Sequence, residues 1–200
     1  MLQEILKRRS IRKFSSHPIP EKDIREIIEC GMNAPSSKNR QPWSFVVVQG
    51  DAKQGMLQAF QKGIDREEHD APLLPNSRQH LSGAKYTLRI MEQAPVTIFV
   101  FNTLGDNIFA ELSQEERVFE ICNHQSVSAA IQNILLAATA KKIGSLWICD
   151  IYFAYQELCD WLNIEGELLA AVSLGYPEES PPQRPRKNFD DLVIWKNKPE

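Results

Sequence analysis

Ala34-Pro35-Ser36-Ser37-Lys38-Asn39-Arg40-Gln41-Pro42-Trp43-Ser44-Phe45-Val46-Val47-Val48 joins two unlike pieces of chain. The first is a polar loop pinned by two prolines. The second, Phe45 to Val48, is an apolar run with β-branched residues that Gly50 stops, which reads as a buried strand. Upstream, Pro20-Glu21 suits the first turn of a helix with Ile24, Ile27 and Ile28 on its inner face, ending near Gly31. Further back, Leu2, Ile5 and Leu6 repeat at helical spacing toward Arg9 and predict a short amphipathic helix.

Downstream, residues 51 to 62 read as helical. From Ile64 to Leu81 the chain is polar, with weak periodicity and Pro72 and Pro75. It reads as a mobile excursion, and residues 64–90 as a lid. Val96 to Phe101 is a second strand. Residues 124 to 141 carry the strongest helical pattern, with Val127, Ile131, Ile134, Leu135 and Ala138 in one stripe. Ala129, Ala130, Leu136 and Ala137 spread apolar surface around that helix, which calls for burial on every side, a subunit seam included. Leu146 to Cys149 reads as a strand, 154 to 163 as a helix and Leu168 to Leu174 as a strand. Pro177, Pro181, Pro182 and Pro185 make 176–200 an extended tail. With no repeat or linker, residues 1–200 form one α/β or α+β domain.

Composition narrows the function. A net charge of −3 over 200 residues supplies no basic surface for nucleic acid, so each basic cluster needs a local purpose. No apolar run reaches the roughly 20 residues of a membrane span. Cys30, Cys122, Cys149 and Cys159 form no C-x-x-C pair, and the expectation is a cytoplasmic protein with reduced thiols. His17, His69, His80 and His124 are scattered, and Cys122 stands too close to His124 for zinc spacing, so no metal is expected. Walker, G-x-G-x-x-G and G-x-S-x-G patterns are missing.

Three segments carry chemistry. Arg8-Arg9-Ser10-Ile11-Arg12-Lys13-Phe14 gathers guanidinium forks and a hydroxyl at a helix end, as phosphate recognition requires. In the Ala34–Trp43 loop, Ser36, Ser37, Asn39 and Gln41 offer donors and acceptors in a rigid frame, suited to the edge of a planar heterocycle. Gly175-Tyr176-Pro177, followed by Arg184-Pro185-Arg186-Lys187, returns positive charge from the tail. Each alone fits a solvated patch or a plain connection.

Taken together, R-R-S-x-R-x-F, then A-P-S-S-x-N-x-Q-P-W running into a strand, then G-Y-P-E and R-P-R-K, resemble the nitroreductase family of FMN enzymes over nearly the whole chain. The resemblance implies an α+β fold: a central, mostly antiparallel sheet flanked by helices in an intertwined homodimer, with FMN at the subunit interface. It places Arg8, Arg9 and Ser10 at the phosphate and ribityl end, with Arg186 and Lys187 closing from the tail. Arg12 falls beside the N1 and O2 edge of the ring. Pro35, Ser36, Ser37 and Asn39 come from the second subunit. Backbone N–H groups of Cys149 or Asp150 face N5 and O4, and Arg89, or else Lys85, adds a cation.

The activity so implied is ping-pong hydride transfer from NADH or NADPH through flavin N5 to a small acceptor such as a nitroaromatic or quinone. No side chain serves as nucleophile or general base. Other members of the family's range stay open: flavin-fragmenting enzymes, and non-catalytic FMN carriers or sensors with a covered ring. A reductive dehalogenase is disfavoured, because Ser82 rather than Glu stands four residues before Tyr86. A plain interaction module without flavin is the remaining alternative.

Overall fold

The computed structural model describes residues 2–69 and 72–196. Strands β1 (Trp43–Gln49), β2 (Val96–Asn102), β3 (Gly144–Ile148) and β4 (Glu167–Gly175) form one sheet in the order β1-β2-β4-β3. Every pairing in it is antiparallel. The helices are α1 (Gln3–Lys7), α2 (Glu21–Met32), α3 (Ala52–His69), α4 (Leu81–Gln93), α5 (Gln114–Ala140) and α6 (Tyr155–Leu162).

The two central strands are apolar on both faces, because helices cover both faces of the sheet. Val96, Ile98 and Val100 of β2 pack with Ile24 and Ile27 of α2 and with Val127, Ile131 and Ile134 of α5. Phe99 and Phe101 of the same strand point the opposite way, into a core with Met56 and Phe60 of α3, Met91 of α4 and Leu158 of α6. This is the period-2 alternation of a strand read out between two helical layers. The expected stripe on α5 is buried throughout, whereas Ala129, Leu136 and Ala137 are only half-buried.

The chain departs from its sequence pattern in three places. The expected mobile excursion is mostly helix: α3 runs on to His69, the residues Pro75–His80 form a 3-10 turn, and α4 begins at Leu81. Its polarity misleads because charged groups are paired inside the fold. Arg66 bonds Glu157 at 2.7 Å, and buried Glu67 accepts from Arg66 and from the backbone N–H groups of Leu73 and Leu74. Residues 70 and 71 of the expected lid, and 197–200 of the expected tail, lie outside the described residues. Second, α5 starts at Gln114, ahead of the expected 124, on a capping box in which Ser113 and Glu116 satisfy each other's backbone N–H groups. Third, β3 stops at Ile148, so Cys149 is an exposed residue beyond the strand rather than one packed within it.

The two ends of the chain meet along the sheet. Ser10 bridges Ser145 in β3, and the Ile11 N–H donates to the Ser145 carbonyl at 3.0 Å. Phe14 then pairs with Pro177: Ser15 donates to the Tyr176 carbonyl at 2.9 Å, and Glu178 to the Lys13 carbonyl at 3.0 Å. The segment after α1 is thus clamped between β3 and the tail.

Candidate functional site

That clamp brings Arg8, Arg9, Ser10 and Arg12 against Pro181, Pro182, Gln183, Arg184 and Arg186 around a cavity of about 470 Å³. Five guanidinium groups therefore line one concavity. No carboxylate forms a salt bridge with any of them among the described residues. Burial, then the charges of Arg186 and Arg9, lower the pKa of Arg8. Like charges held together without a counterion cost free energy, so the site is organised for an anion that neutralises them.

Backbone acceptors aim some of these side chains. Arg9 Nη1 donates to the Leu6 and Arg8 carbonyls at 2.6 and 2.8 Å, and Arg12 Nη1 to the Ser10 carbonyl at 3.2 Å. The Arg12 N–H donates to the Glu179 carboxylate, which fixes the tail beside the cavity. Arg184 and Gln183 were not expected here. Lys187, also expected at the phosphate, is exposed and is not among the residues that line this cavity.

The other expected residues lie elsewhere on the single chain. Pro35, Ser36, Ser37 and Asn39 sit in the loop before β1. There the Ser37 N–H donates to Ser126 Oγ of α5 at 3.2 Å, and Ser36 Oγ accepts from the Gln41 N–H at 3.0 Å. Lys38, Asn39 and Gln41 all adopt positive φ, an unusual density of left-handed non-glycine backbone in one loop. Arg40 stacks over Phe119 at 4.7 Å. Asp150 spends a carboxylate oxygen on Thr87 Oγ1, which ties the end of β3 to α4. Arg89 is exposed on α4 over the Tyr86 ring, while Lys85 is paired with Glu68. None of these residues lines the arginine cavity.

A second constellation was not expected at all. Ligand atoms of Glu120, His124 and Glu167 lie within 4.8 Å of one another. His124 Nε2 is 2.8 Å from Glu167 Oε2, and this pairing, opposed in part by burial, raises the His124 pKa. The helical spacing of Glu120 and His124 could have suggested the pair, but only the fold brings in Glu167.

The nitroreductase family profile matches residues 5–176. The chain belongs to the nitroreductase family. A relative from Archaeoglobus fulgidus, which carries the provisional name NADH dehydrogenase/NAD(P)H nitroreductase, is 30% identical over 89% of this chain and 86% of its own. The 5,6-dimethylbenzimidazole synthase of Rhodospirillum rubrum is 28% identical over 88% of this chain and 81% of its own. Among solved structures, a nitroreductase-type protein of Desulfovibrio desulfuricans crystallised with FMN superposes with a TM-score of 0.71 at 26% identity, covering 98% of this chain and 96% of that one. This nitroreductase-family chain is accordingly an oxidoreductase of the nitroreductase fold. No helix among its described residues is long and apolar enough to cross a membrane.

Proposed function

We propose that the protein binds FMN and transfers hydride from NADH or NADPH to a small acceptor such as a nitroaromatic or a quinone. One observation carries the reading: five arginines from both ends of the chain surround a single cavity, with no carboxylate paired to them among the described residues. A phosphate monoester dianion matches that donor set in charge and in fork geometry. Arg8, Arg9 and Ser10 would hold the phosphate from the N-terminal side, and Arg184 and Arg186 from the tail. Arg12 is assigned to the pyrimidine edge of the ring, where a fixed cation favours electron uptake.

Bound flavin supplies the two-electron chemistry, so the chain's own residues are asked only for position, charge and exclusion of water. Pro35, Ser36, Ser37 and Asn39 are assigned to the flavin of a second copy. The exposed apolar side chains of Leu2, Ile5, Val118, Ile121, Ile194 and Trp195 support a homodimer that buries both ends of the chain and the start of α5. The site is assigned to the cytoplasm, where reduced nicotinamide is available.

Purified holoprotein mixed anaerobically with NADH or NADPH is expected to lose flavin absorbance and to regain it on adding a nitroaromatic or quinone. Tight FMN binding with no response to either nicotinamide would make the protein a carrier and defeat the enzymatic reading. Kinship with the R. rubrum synthase favours one second reading, oxidative fragmentation of the flavin itself. Dimethylbenzimidazole among the aerobic products would establish it.

A further inference from the structure

We propose that Glu120, His124 and Glu167 form a divalent transition-metal site, with zinc as the best-matched ion. The site is separate from the arginine cavity. Glu167 opens β4, whereas the tail that borders the arginines leaves from Gly175 at the far end of that strand. At about 3.3 Å per residue the two ends stand roughly 26 Å apart.

The donor set is built from two elements. Glu120 and His124 are one turn apart on α5 and present one carboxylate and one imidazole on the same face. Glu167 reaches them from the sheet with its side chain only 4% exposed. Two carboxylates and an imidazole suit zinc, which takes three protein ligands and a water at open sites. A tetrahedral ion with bonds of about 2.05 Å holds its ligand atoms about 3.3 Å apart. His124 Nε2 and Glu167 Oε2 now stand 2.8 Å apart across a shared proton. Exchanging that proton for a metal requires the pair to open by only about half an ångström.

The surroundings fit a ligand sphere. Asn102 Nδ2 donates to Glu167 Oε2 at 3.2 Å, the kind of outer contact that orients a ligating carboxylate. The Gly105 backbone lies so close that an added Cβ would stand 2.3 Å from Asn102 Nδ2 and 2.7 Å from Glu167 Oε2. An independent feature points to an absent occupant: Asn123 is 3% exposed, yet its Oδ1 has no hydrogen-bond partner among the described residues. Asn123 and Glu120 line the same cavity of about 470 Å³. Arg117, which pairs with Glu120 at 2.5 Å, is the nearby cation that zinc must outcompete.

The test is calorimetric titration of chelator-treated holoprotein with zinc chloride, with flavin content and thermal melting recorded on the same samples. The expected result is saturable binding of one zinc per chain, with proton release that grows as pH falls and His124 begins protonated. His124→Ala and Glu120→Gln are each expected to abolish that saturable phase while leaving flavin content unchanged. Asn102→Ala, which removes the outer contact together with the bond that Asn102 Oδ1 accepts from the Leu104 N–H, is expected to weaken binding by about 10- to 100-fold. His80→Ala, at an exposed histidine elsewhere, is expected to change nothing. An unmodified protein that shows no saturable zinc binding, or a His124→Ala variant that melts normally and still binds zinc, overturns the site. Because flavin content is read separately, neither result bears on the FMN assignment.

Discussion

Arg8→Met separates what holds this fold from what holds its ligand. The methionine keeps the apolar stem of a half-buried side chain and removes only the guanidinium. In the free protein that group has no carboxylate partner among the described residues, and its pKa is lowered by burial and by the charges of Arg186 and Arg9. Removing it should therefore leave the melting temperature of the apoprotein unchanged or raise it. Against a phosphate the balance reverses. A hydrogen bond to a charged group contributes about 1.5–3 kcal/mol, so losing one weakens FMN binding by roughly 10- to 100-fold. The assay is quenching of flavin fluorescence on titration of apoprotein, run in parallel with FMN and with riboflavin, which lacks the phosphate. Only the FMN affinity should fall, and the gap should narrow with added salt. Equal loss for both flavins, or an FMN affinity unchanged by the substitution, would refute the assignment of this cavity to a phosphate.

Two further expectations concern the framework. Gly63→Ala places a Cβ 2.3 Å from Ala154 Cα and Cβ, where about 3.5–4.0 Å is normal. Forcing α3 away from the Asp150–Ala154 turn should cost about 1–3 kcal/mol, or several degrees of melting temperature at about 2–4 °C per kcal/mol; scanning calorimetry showing no shift would contradict this packing. Glu67→Ala leaves the Leu73 and Leu74 N–H groups without the carboxylate they donate to at 2.8 and 3.3 Å. The expected cost is about 1–3 kcal/mol, with faster hydrogen exchange confined to those amides, and unchanged exchange there would remove Glu67 as the anchor of the segment.

Patterning served best where the environment of an element is uniform. β2 is buried on both faces, so its apolar run could be read directly, and the α5 stripe buries itself by simple periodicity. It served worst where polar groups are satisfied inside the fold. The end of α3 looked like a polar excursion because Arg66 pairs with Glu157 across α3 and α6 while Glu67 is buried on Arg66 and the Leu73 and Leu74 N–H groups, a pairing across 91 residues that leaves no local trace. The N-terminal arginines could be nominated for a phosphate only once the three motifs were read together. Of the tail cations Arg186 and Lys187 were assigned to the phosphate, whereas Arg184 and Arg186 line the cavity, since the path of an extended tail depends on what it lies against.

Sequence by itself settled the family, the alternation of helices and strands and the chemical character of the two chain ends, because motif order and hydrophobic period are written in neighbouring residues. The resemblance set Arg186 near Arg8, but only the tertiary structure shaped the cavity they share and decided that Glu167 meets His124. Both meetings join residues far apart in the chain through strand pairing and sheet packing. Their positions follow from burying two cores at once, a requirement on the whole chain that no local pattern encodes.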